Sequence, residues 1–258
     1  MLDAKDFTYK AFQDNRVKSH SGFTEGQSGP LLLATNKETG EKYIVKHTYR
    51  HNAANEYAAC WLGNKLGVLT PQAFLLSGNG PFSSKQAVAI SFIDGLSSFD
   101  KSNLSAIQQD ELIGQLTLNL LIASGDKLQL GTAGGHIYSF DFSEAFYVSD
   151  ETLFKMFSFN EDMAISMTGQ RVGSFRDYLR IVNYDMPDIA KVFDLDPEKL
   201  KTGMRKVAMR VLDITDEAIE EMSGELMEIY PIAYGIYYEE CIRAIQDHVR
   251  KLEDGAEK

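Results

Sequence analysis

Gly135-His136-Ile137-Tyr138-Ser139-Phe140-Asp141-Phe142-Ser143-Glu144-Ala145-Phe146 is the stretch on which the reading of this chain turns. Gly134-Gly135 suits a tight type I′ turn, and His136 to Phe140 reads as a strand leaving it. Asp141 ends that strand and opens an aromatic, acidic connection. Upstream, Leu112 to Ser124 has the apolar pattern of a central buried helix and runs directly into Gly125-Asp126-Lys127. A hairpin between Asp126 and Asp141 brings both carboxylates to one mouth. Phosphoryl transfer uses such a pair, one orienting the acceptor hydroxyl and one holding Mg2+ against nucleotide phosphates. Either Asp alone is also an ordinary turn residue.

Toward the N-terminus, Leu31 to Ala34 and Lys42 to Lys46 flank Thr35-Asn36-Lys37-Glu38-Thr39-Gly40, a hairpin pattern. A helix is expected from about Ala53 to Leu66, where Tyr57, Ala58, Trp61, Leu62 and Leu66 step by three and four before Gly67. Ala73 to Leu76 and Gln86 to Ile93 read as two further strands, joined by a Gly-Pro-Ser loop at 77–85. Three features of this half carry possible chemistry. Ser21-Gly22-Phe23-Thr24-Glu25-Gly26-Gln27-Ser28-Gly29 lies between two expected strands, and its backbone N–H groups could cradle phosphate. Taken alone, the segment reads first as a flexible surface loop. Lys46 ends a strand of β-branched residues, so it points to solvent or is held by an anion. Glu56, early in the following helix, is either solvated or faces back to fix that lysine.

Asp94-Gly95-Leu96-Ser97-Ser98 is a polar connector, and helical patterns dominate beyond it, at about 174–183, 186–193, 197–211, 216–229 and 234–252. Asp196-Pro197 places a capping residue before a proline at the first helical position, and Thr215 marks another start. The expected class is α+β in two lobes: a small sheet with one helix over 1–94, and a mainly helical lobe over 95–258 that carries the hairpin at 126–146.

Composition narrows the function. The chain has 258 residues, 44% hydrophobic and 24% charged, enough to bury roughly three quarters of its extended surface. Its 26 basic and 37 acidic residues give a net charge of −11, which disfavours direct nucleic-acid binding and an anionic membrane surface. Cys60 and Cys241, far apart in apolar settings, read as buried reduced thiols, and the site of action is expected to be cytoplasmic. The N-terminal ten residues do not read as a signal peptide, and no run approaches the roughly 18 apolar residues of a membrane span. His47 and His51 straddle a strand end and lack zinc spacing, while Met204, Met209, Met222 and Met227 read as core filling.

In order, a glycine/serine loop, strand lysine, helix glutamate, apolar helix, Asp, hairpin and Asp-Phe resemble the protein-kinase-like fold. The wording is closer to its HipA-like and phosphoinositide-kinase-like branch than to eukaryotic protein kinases. Glu56-Tyr57-Ala58-Ala59 running to Leu66-Gly67-Val68 and Pro71 resembles a HipA-type segment, and Gly135 to Phe146 resembles that branch's strand ending in its metal-binding Asp. The likeness runs from about residue 21 to 146; the helical remainder matches only as a generic C-lobe.

The resemblance implies an ATP-binding kinase using Mg2+, which transfers the γ-phosphoryl group to a hydroxyl, on a protein Ser or Thr rather than a lipid. It makes Lys46 the phosphate-contacting lysine, Glu56 its partner, Asp141 the metal ligand and Asp126 the catalytic Asp. Gly26 and Ser28 would line the phosphate loop. Ile90 to Asp94, Ile93 among them, becomes a hinge whose backbone binds an adenine edge.

The chain departs from the branch at Asp-x-His-x-x-Asn, reading Asp126-Lys127-Leu128-Gln129-Leu130-Gly131. Gly131 replaces the Asn that serves as a second Mg2+ ligand, and Gln129 offers an amide oxygen two places early. Mg2+ would then rest on Asp141 and phosphate oxygens, and an Asn restored at 131 is expected to strengthen Mg2+-dependent nucleotide binding if only the lost ligand limits the site. Two rival readings stand beside the kinase. One is a pseudokinase acting as a binding or regulatory module, with or without nucleotide. The other is an interaction protein with coincidental kinase-like segments. Either kinase-type reading expects a protein substrate or regulatory partner.

Overall fold

The computed structural model describes residues 1–12, 31–78, 80–81, 87–125, 127–146 and 161–255. The glycine/serine loop with Gly26 and Ser28, and also Asp126, lie outside the described residues.

Six strands form one curled sheet: β1 (Leu2–Asp3), β2 (Phe7–Ala11), β3 (Leu31–Asn36), β4 (Lys42–His47), β5 (Ala73–Ser77) and β6 (Ala87–Ser91), in the order β1-β5-β6-β4-β3-β2. Only the β1–β5 pair is parallel. The β3–β4 hairpin forms as its sequence predicts. The Asn36 side chain accepts from the N–H groups of Glu38 and Thr39, and Gly40 sits at φ 73° to close the turn.

Strand alternation then sorts the residues. Tyr43 and Val45 face a small cluster with Phe7, Ala34, Leu76, Ala87 and Ala89. Ile44 and Lys46 lie opposite Ile90 and Val88, whose side chains join the main core with the helix that follows. The pleat therefore sends Lys46 toward that helix and not to the outer face.

The helix, α1 (Arg50–Lys65), starts before Ala53 because Tyr49 serves as N-cap without a side-chain bond, and such a start leaves no Ser, Asp or Asn signature. His51 to Cys60 is buried on every side, including Asn52, Asn55 and Glu56. A helix exposed on one face would leave those polar groups to water. Here they must find partners within the protein.

A second sheet holds β7 (Ser97–Ser98), β8 (Gln129–Ala133) and β9 (His136–Phe140), in that order. Helix α2 (Ala106–Leu121) begins earlier than its apolar stretch suggests. Ser105 and Gln108 form a reciprocal capping box that carries the polar first turns. Among the described residues five further α-helices follow: α3 (Glu161–Arg180), α4 (Pro187–Val192), α5 (Pro197–Met209), α6 (Asp216–Ile229) and α7 (Ile232–Glu253). Helix α3 starts well ahead of residue 174, where its apolar periodicity becomes readable. Asp196 and Thr215 cap α5 and α6 as expected.

One continuous core runs from α1 and the sheet through α2 into the C-terminal helices. Cys60 and Cys241 are free thiols buried inside it. Among the described residues no helix is long and apolar enough to cross a membrane.

Helix α7 packs against α3 and α6. A Cβ added at Gly235 would meet Met227 Cε at 2.5 Å and the Ser223 backbone oxygen at 2.7 Å, so the helix pair closes on a hydrogen atom there. Gly235→Ala is expected to destabilise the protein by about 1–3 kcal/mol, as overpacking against backbone does. Chemical denaturation measures it, and unchanged stability would contradict this account of the α6–α7 packing.

Candidate nucleotide site

Three charged side chains meet where β4, α1 and the end of β9 converge. Lys46 Nζ lies 2.9 Å from Glu56 Oε2 and 2.8 Å from Asp141 Oδ1. Glu56 Oε2 also accepts the Phe142 N–H at 3.0 Å, so one carboxylate oxygen fixes both the lysine and the chain after Asp141. The other, Oε1, is buried with no hydrogen-bond partner. Exposure rises across the trio: the Glu56 side chain is 1% exposed, Lys46 18% and Asp141 36%. Asp141 is therefore the carboxylate that can meet a ligand, and Glu56 is the one that holds the arrangement from behind.

Asp141 adopts φ 65°, a left-handed backbone uncommon for a residue with a Cβ. That conformation costs on the order of 1 kcal/mol and persists only where the surroundings over-determine it. They do so here. Asn55 Nδ2 donates to the Ser143 carbonyl at 2.7 Å, and Tyr238 Oη on α7 donates to Asn55 Oδ1 at 2.6 Å. Tyr237 Oη donates to the Phe146 carbonyl at 2.9 Å, and the Phe146 N–H bonds to the Ile122 carbonyl. Behind β9, the buried Gln115 side chain donates to the carbonyls of Leu69 and Ile137 and accepts from Ser139 Oγ.

The trio carries two negative charges and one positive, so its open edge at Asp141 favours a cation. Lys46 lies beside Asp141 and holds that carboxyl below its ordinary value against the opposing effect of burial. Burial would lower the Lys46 pKa, but its two carboxylate partners outweigh it and raise it. Burial pushes the Glu56 carboxyl upward against the pull of Lys46.

Of the residues singled out in the sequence, Lys46, Glu56 and Asp141 are thus brought together. Ile93 lies just past β6. The N–H groups of Ser91 and Phe92 are taken by the carbonyls of Gln72 and Lys42, and the Ile93 carbonyl accepts from the Leu96 N–H at 3.4 Å. Gln129, at the start of β8, donates from Nε2 to Asp141 Oδ2 at 2.9 Å. Gly131 corrects an expectation. It lies within β8, opposite Tyr138 and Ser98, and a Cβ there would meet Leu96 Cδ1 at 2.7 Å and the Ser97 backbone oxygen at 3.0 Å. An Asn at 131 would have to displace the Leu96 side chain and press on the Ser97 carbonyl, a packing cost set against any gain in Mg2+ binding.

Sequence reasoning missed Asn55, Gln115 and Tyr238. Gln115 did leave a signal, since an amide among the apolar residues of a buried helix must be hydrogen-bonded. Asn55 and Tyr238 left none, because their contact joins residues far apart in the chain. Among the described residues no three His, Cys, Asp or Glu side chains are grouped as a metal cage. Mg2+ is commonly held by one or two carboxylates plus phosphate oxygens and water, and the partly open Asp141 fits that donor set.

No protein-family model matches this chain, and no curated protein matches it. Among solved structures, the crystal structure of the proinflammatory kinase CtkA of Helicobacter pylori aligns with a TM-score of 0.53, covering 97% of this chain and 99% of that one at 15% identity. The fold is kinase-like. In this kinase-like fold the curled sheet with α1 is the N-terminal part, and α2 to α7 with the small second sheet form the mainly helical remainder.

The lowered Asp141 pKa has a consequence for stability. A carboxylate whose folded pKa lies below its unfolded value contributes fully above about pH 4, and the contribution is lost as pH falls through the folded value. Asp141→Asn removes that charge while keeping a residue tolerant of left-handed backbone. The stability difference between wild type and Asp141→Asn, from denaturation at steps between pH 7 and pH 3, is expected to shrink as the pH falls. A difference independent of pH would contradict the Lys46–Asp141 pairing.

Proposed function

We propose that this chain binds ATP with Mg2+ between residues 1–94 and 95–258, and transfers the γ-phosphoryl group to a hydroxyl, that of a protein Ser or Thr. The observation that carries the reading is the Lys46 ammonium set between a buried Glu56 and a partly open Asp141. Lys46 would contact the phosphates, with Glu56 holding its Nζ in place. Asp141 would hold Mg2+, which when bound supplies neutralising charge to the phosphate oxygens. Backbone at Ile93 would meet the adenine edge. Gly26 and Ser28 would line the loop over the phosphates, and Asp126 would orient the acceptor hydroxyl. The net charge of −11 supports a protein acceptor or regulatory partner over nucleic acid or an anionic membrane. We place the activity in a cytoplasm, where ATP is at hand and thiols such as Cys60 and Cys241 stay reduced.

One observation favours the second reading, a pseudokinase acting as a binding or regulatory module, with or without nucleotide. The position of the missing Asn, Gly131, is closed by Leu96 and the Ser97 carbonyl. The kinase reading requires the nucleotide, so binding is tested first. The melting temperature is expected to rise with ATP concentration when Mg2+ is present, by mass action on the folded state, and the rise should vanish in Lys46→Met. No shift at millimolar ATP would overturn the kinase and favour a pseudokinase without nucleotide or a coincidental likeness. Given binding, phosphoryl transfer that falls roughly 10²–10⁴-fold in Asp126→Asn supports the kinase. Equal silence of wild type and variant supports the pseudokinase.

A further inference from the structure

Gln129 is the side chain that the kinase-type reading leaves without a task. It is exposed at the first position of β8, opposite Phe140 in the register, with its Nε2 2.9 Å from Asp141 Oδ2. Strand alternation would put residue 141 on the face away from Gln129, but the left-handed backbone at Asp141 ends the alternation. The two side chains consequently share the cleft edge. Asp141 Oδ1 is engaged by Lys46, so Oδ2 is the oxygen available to a cation, and Gln129 stands against that same oxygen.

We infer that Gln129 is the second protein ligand of the divalent cation, its amide oxygen turning toward the ion that Asp141 Oδ2 binds. The inference rests on the nucleotide reading above and deepens it. An amide carries a donor and an acceptor on one terminal group, interchanged by rotation about a single side-chain bond. Beside a bare carboxylate the N–H side faces Asp141, which is the arrangement seen. Beside a carboxylate that holds a cation, the oxygen side is favoured, because a carbonyl oxygen is a hard neutral donor of the kind Mg2+ and Mn2+ accept. Position 131, two residues along β8 on the same face, is a glycine with no side-chain donor, and a Cβ there would crowd Leu96 and the Ser97 carbonyl. Moving the donor to 129 places it at the open end of the hairpin, against the carboxylate.

A merely structural role for Gln129, donating its N–H to orient Asp141, would be lost in Gln129→Leu and in Gln129→Glu alike, since Glu has no such donor, whereas a ligand role is kept by the Glu oxygen. The test is therefore the gain in ADP affinity that Mn2+ confers, taken by titration calorimetry with Mn2+ and again with EDTA, in wild type, Gln129→Leu and Gln129→Glu. Gln129→Leu is expected to bind ADP in EDTA like wild type but to lose about tenfold or more of the Mn2+ gain, the weight typical of groups that set a metal site. Gln129→Glu, which keeps an oxygen at that place, should match or exceed the wild-type gain. An undiminished gain in Gln129→Leu overturns the inference while leaving the nucleotide reading intact, as does a wild type that binds ADP with no Mn2+ dependence. A wild type that binds no ADP in either condition overturns both. Should Gln129→Leu fail to fold, Gln129→Glu decides alone, and a gain below wild type counts against the ligand role.

Discussion

An ammonium removed from most of its water must be met by anions, and that constraint on Lys46 organises the centre of this protein. Lys46 belongs to β4, Glu56 to α1 and Asp141 to the end of β9, so satisfying one charge joins the sheet, its helix and the second sheet. Removing one partner of a fully buried pair costs about 3–5 kcal/mol. The cost here is smaller, because the Lys46 side chain keeps 18% of its exposure. The proposed role depends on that residual exposure: a lysine sealed by its carboxylates would have no face for a phosphate.

Helix α1 shows how the arrangement is held. A helix at the edge of a fold could tilt and break the Lys46–Glu56 contact. This one is tied at three places. Tyr57 Oη donates to Glu225 at 3.0 Å, Asn55 links the Ser143 carbonyl to Tyr238, and Arg210 Nη1 donates to the Leu66 carbonyl at 2.6 Å. Alanines at 53, 54, 58 and 59, all fully buried, let neighbouring elements approach its backbone closely. The helix is thus a fixed strut between the sheet and the C-terminal helices, and Glu56 is presented to Lys46 without a ligand having to place it.

The β3–β4 hairpin, the termination of α1 at Gly67 and the caps of α5 and α6 were legible because each depends on residues within a few positions of one another. The meeting of Lys46, Glu56 and Asp141 was legible only as an order along the chain, through resemblance; no local pattern brings a strand lysine to a residue 95 positions later. Two kinds of feature escaped. Polar first turns, as at Ser105 to Gln108 before Leu112, hide helix starts from apolar periodicity. Space is also invisible in a sequence: Gly131 read as a vacancy for a ligand, whereas its missing side chain is what lets Leu96 and Ser97 pack.

The central claim is that Lys46 is the group that touches nucleotide phosphate. An ATP analogue bearing an acyl group on its terminal phosphate transfers that acyl group to whichever amine lies against the phosphates. Peptide mapping by mass spectrometry after brief exposure of the wild-type protein reads out that amine directly. The account predicts acylation concentrated at Lys46 and suppressed by excess ATP with Mg2+. Labelling spread over surface lysines, or labelling of Lys46 that ATP fails to suppress, would contradict it.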